Sequence, residues 1–128
     1  MTFSVVGKSN MLLQFSQKKF KSDHEITIGV EFGAKNISIG DEKVYRIQIW
    51  DTVNNNIIIT YIYKAGQETF KSITRAYYKN SVCAFLVYDI TKRDSFNNIN
   101  SWLEECKAQS PKTVLMVLVG NKVDLEEK

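Results

Sequence analysis

Residues 82–119 read VCAFLVYDITKRDSFNNINSWLEECKAQSPKTVLMVLV, and this run predicts the fold class. Its two ends, Val82–Tyr88 and Thr113–Val119, are apolar runs without alternation, typical of strands buried on both faces of a parallel sheet. Between them apolar residues recur at helical spacing, at Phe96, Ile99, Leu103 and Cys106. We expect Asp94 or Ser95 to cap this helix. Strand, helix and strand in this order form a βαβ unit, so the predicted class is α/β.

Toward the N-terminus, the pattern predicts a helix followed by a β-hairpin. Residues 7–19 place apolar side chains at helical spacing, which predicts a short amphipathic helix. Apolar residues then alternate in 30–39 and again in 45–49, and the Gly-Asp pair at 40–41 predicts the turn between the two strands.

Composition narrows the classes of protein. With 128 residues the chain has the size of one domain, 1–128. A net charge of +3, without a basic cluster interleaved with aromatics, argues against a nucleic-acid partner. No apolar run approaches the roughly 20 residues that span a bilayer. Cys83 and Cys106 lack metal-ligand spacing, which favours reduced thiols in a cytoplasmic protein.

The first motif is Gly7-Lys8-Ser9 at the start of the N-terminal helix. In a phosphate-binding loop the lysine contacts phosphate, the hydroxyl binds Mg²⁺, and the helix N-terminus favours negative charge. These three residues also occur by chance at an ordinary helix start, so alone they carry little weight.

Two further motifs follow apolar strands. Asp51 ends one strand, where its carboxylate could hold Mg²⁺ through water or simply belong to a turn. Asn121-Lys122-Val123-Asp124 follows another, at the strand end where open α/β sheets bind ligands. The Asp124 carboxylate can accept hydrogen bonds from the N1–H and N2 amino group of guanine, a donor pair that adenine lacks. The alternative interpretation of this motif is an ordinary polar loop that binds no ligand.

Six segments together resemble the Rab GTPases, a branch of the Ras superfamily, over nearly the whole chain from Val6 onward. They are IGVEF (28–32), QIWDT (48–52), AGQE (65–68), ITRAYY (73–78), LVYDIT (86–91) and NKVD (121–124). The resemblance implies a P-loop small G-protein fold, a doubly wound and mostly parallel sheet, here incomplete. It also implies a GTP-binding switch in vesicle traffic that hydrolyses GTP to GDP.

The resemblance assigns roles to individual residues. Eight residues would hold GTP or GDP: Gly7, Lys8, Ser9, Thr27, Gly66, Asn121, Lys122 and Asp124. Mg²⁺ would be bound by Ser9, Thr27 and Asp51, and Gln67 would orient the attacking water. Phe32, Trp50 and Tyr77 resemble the aromatic triad that faces effectors, although plain core packing explains them equally well. An exchange factor and an activating protein are the other implied partners, at the cytoplasmic face of endomembranes.

The two ends depart from the family pattern. A GxxxxGKS loop would place its first glycine at position 2, where this chain has Thr2. Glycine permits the dihedrals and the close approach that a phosphate cradle needs. The strand before this loop, central in the family, is reduced to a stub. We also expect a truncation after Lys128, which removes the second base-binding loop, the last strand and helix, and the prenylated tail that would anchor the protein.

The middle carries twelve additional residues, Val53–Lys64, between Thr52 and Ala65. They place Asp51 and Gly66 fifteen positions apart, where the family has three. Their codons can begin with GT, end with AG and preserve the frame, so we predict a translated, unspliced intron. The alternative is a turn at 54–56 and an added strand at 57–63, which we disfavour because an exposed uncharged strand invites aggregation.

Three functions therefore remain open. The first is a Rab-type GTPase. The second is a non-catalytic decoy that engages Rab partners without hydrolysing GTP. The third is a product of a flawed gene model without a folded function. Magnesium-dependent GTP binding distinguishes the first from the other two.

Overall fold

The computed structural model describes residues 6–23, 30–40, 43–52, 56–62 and 76–125. In chain order the elements are α1 (Lys8–Gln17), β1 (Val30–Ile39), β2 (Lys43–Thr52), β3 (Asn56–Ile62), α2 (Ala76–Lys79), β4 (Cys83–Asp89), α3 (Arg93–Asn97), α4 (Ile99–Gln109), β5 (Leu115–Asn121) and a 3₁₀ turn (Val123–Leu125). Within these residues no helix is long and apolar enough to cross a membrane.

The described strands form one five-stranded sheet in the order β1-β2-β3-β4-β5. The predicted hairpin is confirmed: β1 and β2 pair antiparallel in a single register from Val30 with Thr52 to Ile39 with Lys43. The predicted βαβ unit is confirmed as well, because β4 and β5 pair in parallel and α3 and α4 connect them. The α/β class is thereby confirmed.

The added segment corrects one expectation. The aggregation argument disfavours a strand at 57–63, yet Asn56–Ile62 forms β3 at the centre of the described sheet. It pairs antiparallel with β2 on one side and with β4 on the other. A strand bonded on both edges does not expose the free edge on which the aggregation argument rested. Whether these residues derive from an unspliced intron stays a prediction.

The order of strands makes the sheet mixed rather than mostly parallel: three of its four pairings are antiparallel. The strand that the Rab resemblance places before Gly7 would lie at residues 1–5, outside the described residues, and β3 is the central strand of the described sheet. Since β3 runs antiparallel to both neighbours, β2 and β4 still run in the same direction. Consequently β2, β4 and β5 all end at the same edge of the sheet.

Helices pack on both faces of the sheet. On one face, α1 contributes Leu12 to a buried cluster with Val6, Ile49 of β2 and Val87 of β4. On the other face, Tyr78, Ala84 and Cys106 form a second buried cluster. Consecutive strand residues point to opposite faces, so β4 supplies both clusters. Burial of a Leu side chain contributes about 2 kcal/mol, which anchors α1 to the sheet through Leu12. On the other face, α4 is anchored through the buried Cys106.

Two local expectations are wrong. The helix between the buried strands begins at Arg93 with Lys92 at its N-cap, so neither Asp94 nor Ser95 caps it. Ser95 is instead buried, and its hydroxyl accepts a hydrogen bond from the Asp89 amide at 3.0 Å. The second strand of the unit, β5, is not buried on both faces: Leu115 and Leu118 are more than half exposed, because β5 lies at the end of the sheet.

Candidate functional site

The helix α1 begins at the sheet edge where β2, β4 and β5 end. Gly7 precedes it with φ of +92°, a left-handed conformation that glycine adopts without steric cost. Lys8 and Ser9 follow, both buried. The sequence prediction of a helix opening at Gly7-Lys8-Ser9 is therefore confirmed in its geometry.

Ser9 and Asp51 are in direct contact. The Ser9 hydroxyl donates to Oδ2 of Asp51, whose side chain is fully buried at the end of β2. The Lys8 ammonium lies 4.0 Å from the other carboxylate oxygen. Burial lowers the pKa of Lys8 more than the Asp51 charge raises it. A phosphate group beside Lys8 would stabilise the charged form of the lysine, because a nearby opposite charge favours it. A phosphate site needs such a positive charge.

Ser9 and Asp51 together offer hydroxyl and carboxylate oxygens, the ligand type that Mg²⁺ takes. In the described part of the chain, no group of three or more His, Cys, Asp or Glu residues could hold a metal ion. The oxygen donors of Ser9 and Asp51 fit a cation that takes its remaining ligands from phosphate oxygens and water, as Mg²⁺ does in nucleotide sites.

Asn121 connects the guanine motif to the phosphate motif. Its side-chain amide donates to the Val6 carbonyl at 2.8 Å, across 115 positions of sequence. The two motifs are close enough that a Cβ built on Gly7 would lie 2.5 Å from Asn121 Nδ2. The expectation that these motifs share one site agrees with this geometry.

Lys122 and Asp124 follow at the end of β5. Lys122 adopts a left-handed backbone with φ of +68°, and its ammonium lies 2.8 Å from Oδ2 of Asp89. Asp124 lies exposed in the 3₁₀ turn Val123–Leu125. The carboxylate expected to read guanine is thus accessible to a ligand.

The remaining predicted residues divide into two groups. Thr27, Gly66 and Gln67 lie outside the described residues, so their roles stay predictions. Phe32 and Trp50 are register partners in the hairpin, with ring centroids 4.6 Å apart, and Phe32 is 42% exposed. Tyr77 belongs to α2, but its side chain lies outside the described part.

Sequence reasoning missed the position of Asp89. The residue lies within LVYDIT, and it ends β4 at the same edge as Asp51 and Asn121. The signal was present: Asp89, like Asp51, is an acidic residue directly after an apolar strand, where α/β sheets bind ligands.

A model of the Ras family matches residues 2–128. The chain belongs to the Ras family. This Ras-family chain is also 54% identical over 123 residues to Ras-related protein Rab-2B of Dictyostelium discoideum, in an alignment that covers 96% of the chain and 54% of the relative. Both matches confirm the Rab resemblance of the sequence. The chain spans about half the length of the curated relative it matches. Guanine nucleotide and Mg²⁺ are the ligands of Ras-family GTPases, in agreement with the cofactors that the resemblance implies.

Proposed function

We propose that this Ras-family chain belongs to a Rab-type switch that binds GTP or GDP with Mg²⁺ in membrane traffic. The observation that carries the proposal is the hydrogen bond from Asn121 to the Val6 carbonyl, because it joins the guanine motif to the phosphate motif. Asn121, Lys122 and Asp124 would hold the base, Gly7 and Lys8 the phosphates, and Ser9 and Asp51 the Mg²⁺. The metal supplies charge neutralisation of the phosphates.

Hydrolysis in this proposal depends on positioning. Phosphoryl transfer needs an oriented water and stabilised phosphate charge rather than covalent help. Gln67 would orient the water, and Thr27 and Gly66 would respond to the γ-phosphate. The buried Lys8 ammonium would stabilise charge on the phosphate oxygens, with Asp51 nearby to keep it protonated.

We further propose that effectors bind the hairpin face around Phe32 and Trp50, with Tyr77 as the third aromatic residue. The two rings are in contact at a tilted angle and Phe32 is partly exposed, which supports a contact surface because aromatic side chains dominate protein interfaces. An exchange factor and an activating protein complete the proposed partners. The proposed location is the cytoplasmic face of endomembranes.

The test is nucleotide titration of the full chain by calorimetry, with Mg²⁺ and with a chelator. We expect saturable GDP and GTP binding that Mg²⁺ strengthens and ADP does not match. The variant Asp124→Asn should lose GDP and gain xanthosine diphosphate, because the Asn amide donates where xanthine offers a carbonyl. Asp94→Asn, an exposed carboxylate on α3, is the matched control and should bind as wild type.

Each other outcome points to one of the alternative functions. Binding of Rab effectors without any nucleotide affinity would support the decoy. A chain that unfolds without cooperativity and binds neither would support a non-functional product.

A further inference from the structure

An ion pair lies behind the guanine motif, at the point where β4 and β5 end side by side. Asp89 and Asn121 are register partners, the last residues of the two parallel strands. Oδ2 of Asp89 lies 2.8 Å from the Lys122 ammonium. The Asp89 side chain has no exposed surface, whereas that of Lys122 is 26% exposed. The carboxylate is therefore buried, whereas the lysine that pairs with it reaches the surface.

Asp89 is kept ionised by its neighbours. Its Oδ1 accepts hydrogen bonds from the Thr91 amide at 3.0 Å and the Thr91 hydroxyl at 2.7 Å. Burial alone would raise the pKa of Asp89, but the hydrogen bonds from Lys122 and Thr91 outweigh it and hold the pKa below its usual value. At neutral pH the carboxylate is thus a fixed negative charge.

The loop that Asp89 faces has a conformation that needs support. Lys122 is a non-glycine residue with φ of +68°, which costs about 1 kcal/mol. Beside it, the Asn121 carbonyl accepts a hydrogen bond from the Ile90 amide at 3.1 Å. Residues 89–91 therefore contact the loop at 121–125 in two ways, through the backbone hydrogen bond of Ile90 and through the charge of Asp89.

We propose that Asp89 is a positioning residue for guanine recognition. Its carboxylate holds Lys122 in the left-handed turn, and that turn directs Asn121 and Asp124 toward the base. Asp89 itself does not contact the nucleotide. The inference rests on the proposed function, since it concerns how the same site is organised.

The experiment is a double-mutant cycle on GDP affinity in the full chain, with Asp89→Asn, Lys122→Met and the double variant. Asp89→Asn keeps the shape and can still accept from Thr91, but removes the charge. We expect it to raise the Kd for GDP about tenfold, the usual effect of losing a charge-assisted hydrogen bond. The double variant should bind no more weakly than the weaker single variant, because one interaction is removed in all three. Asp94→Asn should stay within about twofold of wild type.

A second measurement follows the loop without nucleotide. Hydrogen exchange of the amides at 121–125 should accelerate in Asp89→Asn and in Lys122→Met, whereas the amides of β1 and β2 stay unchanged. If the wild type binds no GDP, the proposed function fails, and exchange still decides whether Asp89 positions the loop. If Asp89→Asn does not fold, Lys122→Met removes the same contact from the more exposed side.

Two results would overturn the inference. One is additive losses of GDP affinity in the double variant, which would show that Asp89 and Lys122 act separately. The other is unchanged exchange at 121–125 in Lys122→Met, which would make the pair an ordinary ionic contact of the protein interior.

Discussion

Gly7 combines two constraints in one residue. Its φ of +92° lies in the left-handed region, and a Cβ there would lie 2.5 Å from the Asn121 amide nitrogen. The Asn121 side chain could move away, but its hydrogen bond to the Val6 carbonyl would be lost. Gly7 therefore allows both the start of α1 and the hydrogen bond from Asn121 to Val6 that connects the two nucleotide motifs.

We predict that Gly7→Ala destabilises the protein by about 3 kcal/mol, from backbone strain and the lost Asn121 hydrogen bond together. Gly40→Ala is the matched control, since Gly40 also has a positive φ, +67°, but open space around its Cβ position. It should cost only the strain, about 1 kcal/mol. Urea unfolding measures both. Equal losses in the two variants would show that the Asn121 contact contributes nothing.

The Asp89 charge predicts a pH dependence of stability. Its pKa is lower in the folded than in the unfolded chain, so the stabilisation is present above the ordinary carboxyl pKa of about 4 and is lost as pH falls through the lower folded value. The difference in unfolding free energy between wild type and Asp89→Asn should stay constant from about pH 7 to pH 5 and narrow below about pH 4. Urea unfolding at several pH values tests this. A gap that narrows already near pH 6 would contradict it.

Among the elements, β3 has the greatest effect on the architecture. In an antiparallel sheet each residue directs its N–H to one neighbouring strand, and a central strand has a partner on both sides. Ile58 pairs with Trp50 of β2 and with Ala84 of β4. Its N–H is therefore a ladder donor, which proline would remove.

We predict that Ile58→Pro abolishes cooperative unfolding, because it separates the hairpin from the βαβ unit. Lys112→Pro is the control: Lys112 is exposed and second in the turn closed by the hydrogen bond from Val114 to Pro111, a position that favours proline. Circular dichroism during thermal unfolding reports both. A cooperative Ile58→Pro protein with unchanged Tm would contradict the central position of β3.

At this scale the sequence predicted some features and missed others for physical reasons. The hairpin and the βαβ unit follow from local apolar patterns, and their strands were found. The position of β3 in the sheet depends on which other strands pair with it. One of those partners, β4, is distant in the sequence, so the apolar run at 57–63 does not reveal it. Asn121 and Lys122 were found by their place after a strand, but the Asp89 contact depends on the register of β4 with β5.

For the whole molecule, the site depends on strand direction. β2, β4 and β5 bring Asp51, Asp89 and Asn121 to one edge only because β3 runs antiparallel to two neighbours and so leaves them parallel to each other. The same segment separates Asp51 from Gly66 along the chain, although the proposed phosphate site needs both. The added residues thus support the sheet in this protein and lengthen the connection between two parts of its proposed site.

Deletion of residues 53–64 tests which effect dominates. It restores the family's separation, with Gly66 three positions after Asp51, but removes the strand between β2 and β4. We predict that the shortened chain loses cooperative unfolding, because the ladders of β3 supply the strand pairing between β2 and β4. Without them, the described link between these two strands is the side-chain cluster of Leu12, Ile49 and Val87. Thermal unfolding and GDP titration of both chains provide the measurement. A shortened chain that unfolds cooperatively and binds GDP more tightly than the full chain would contradict this prediction, because the sheet would then close without β3 and the shorter connection would suffice for the site.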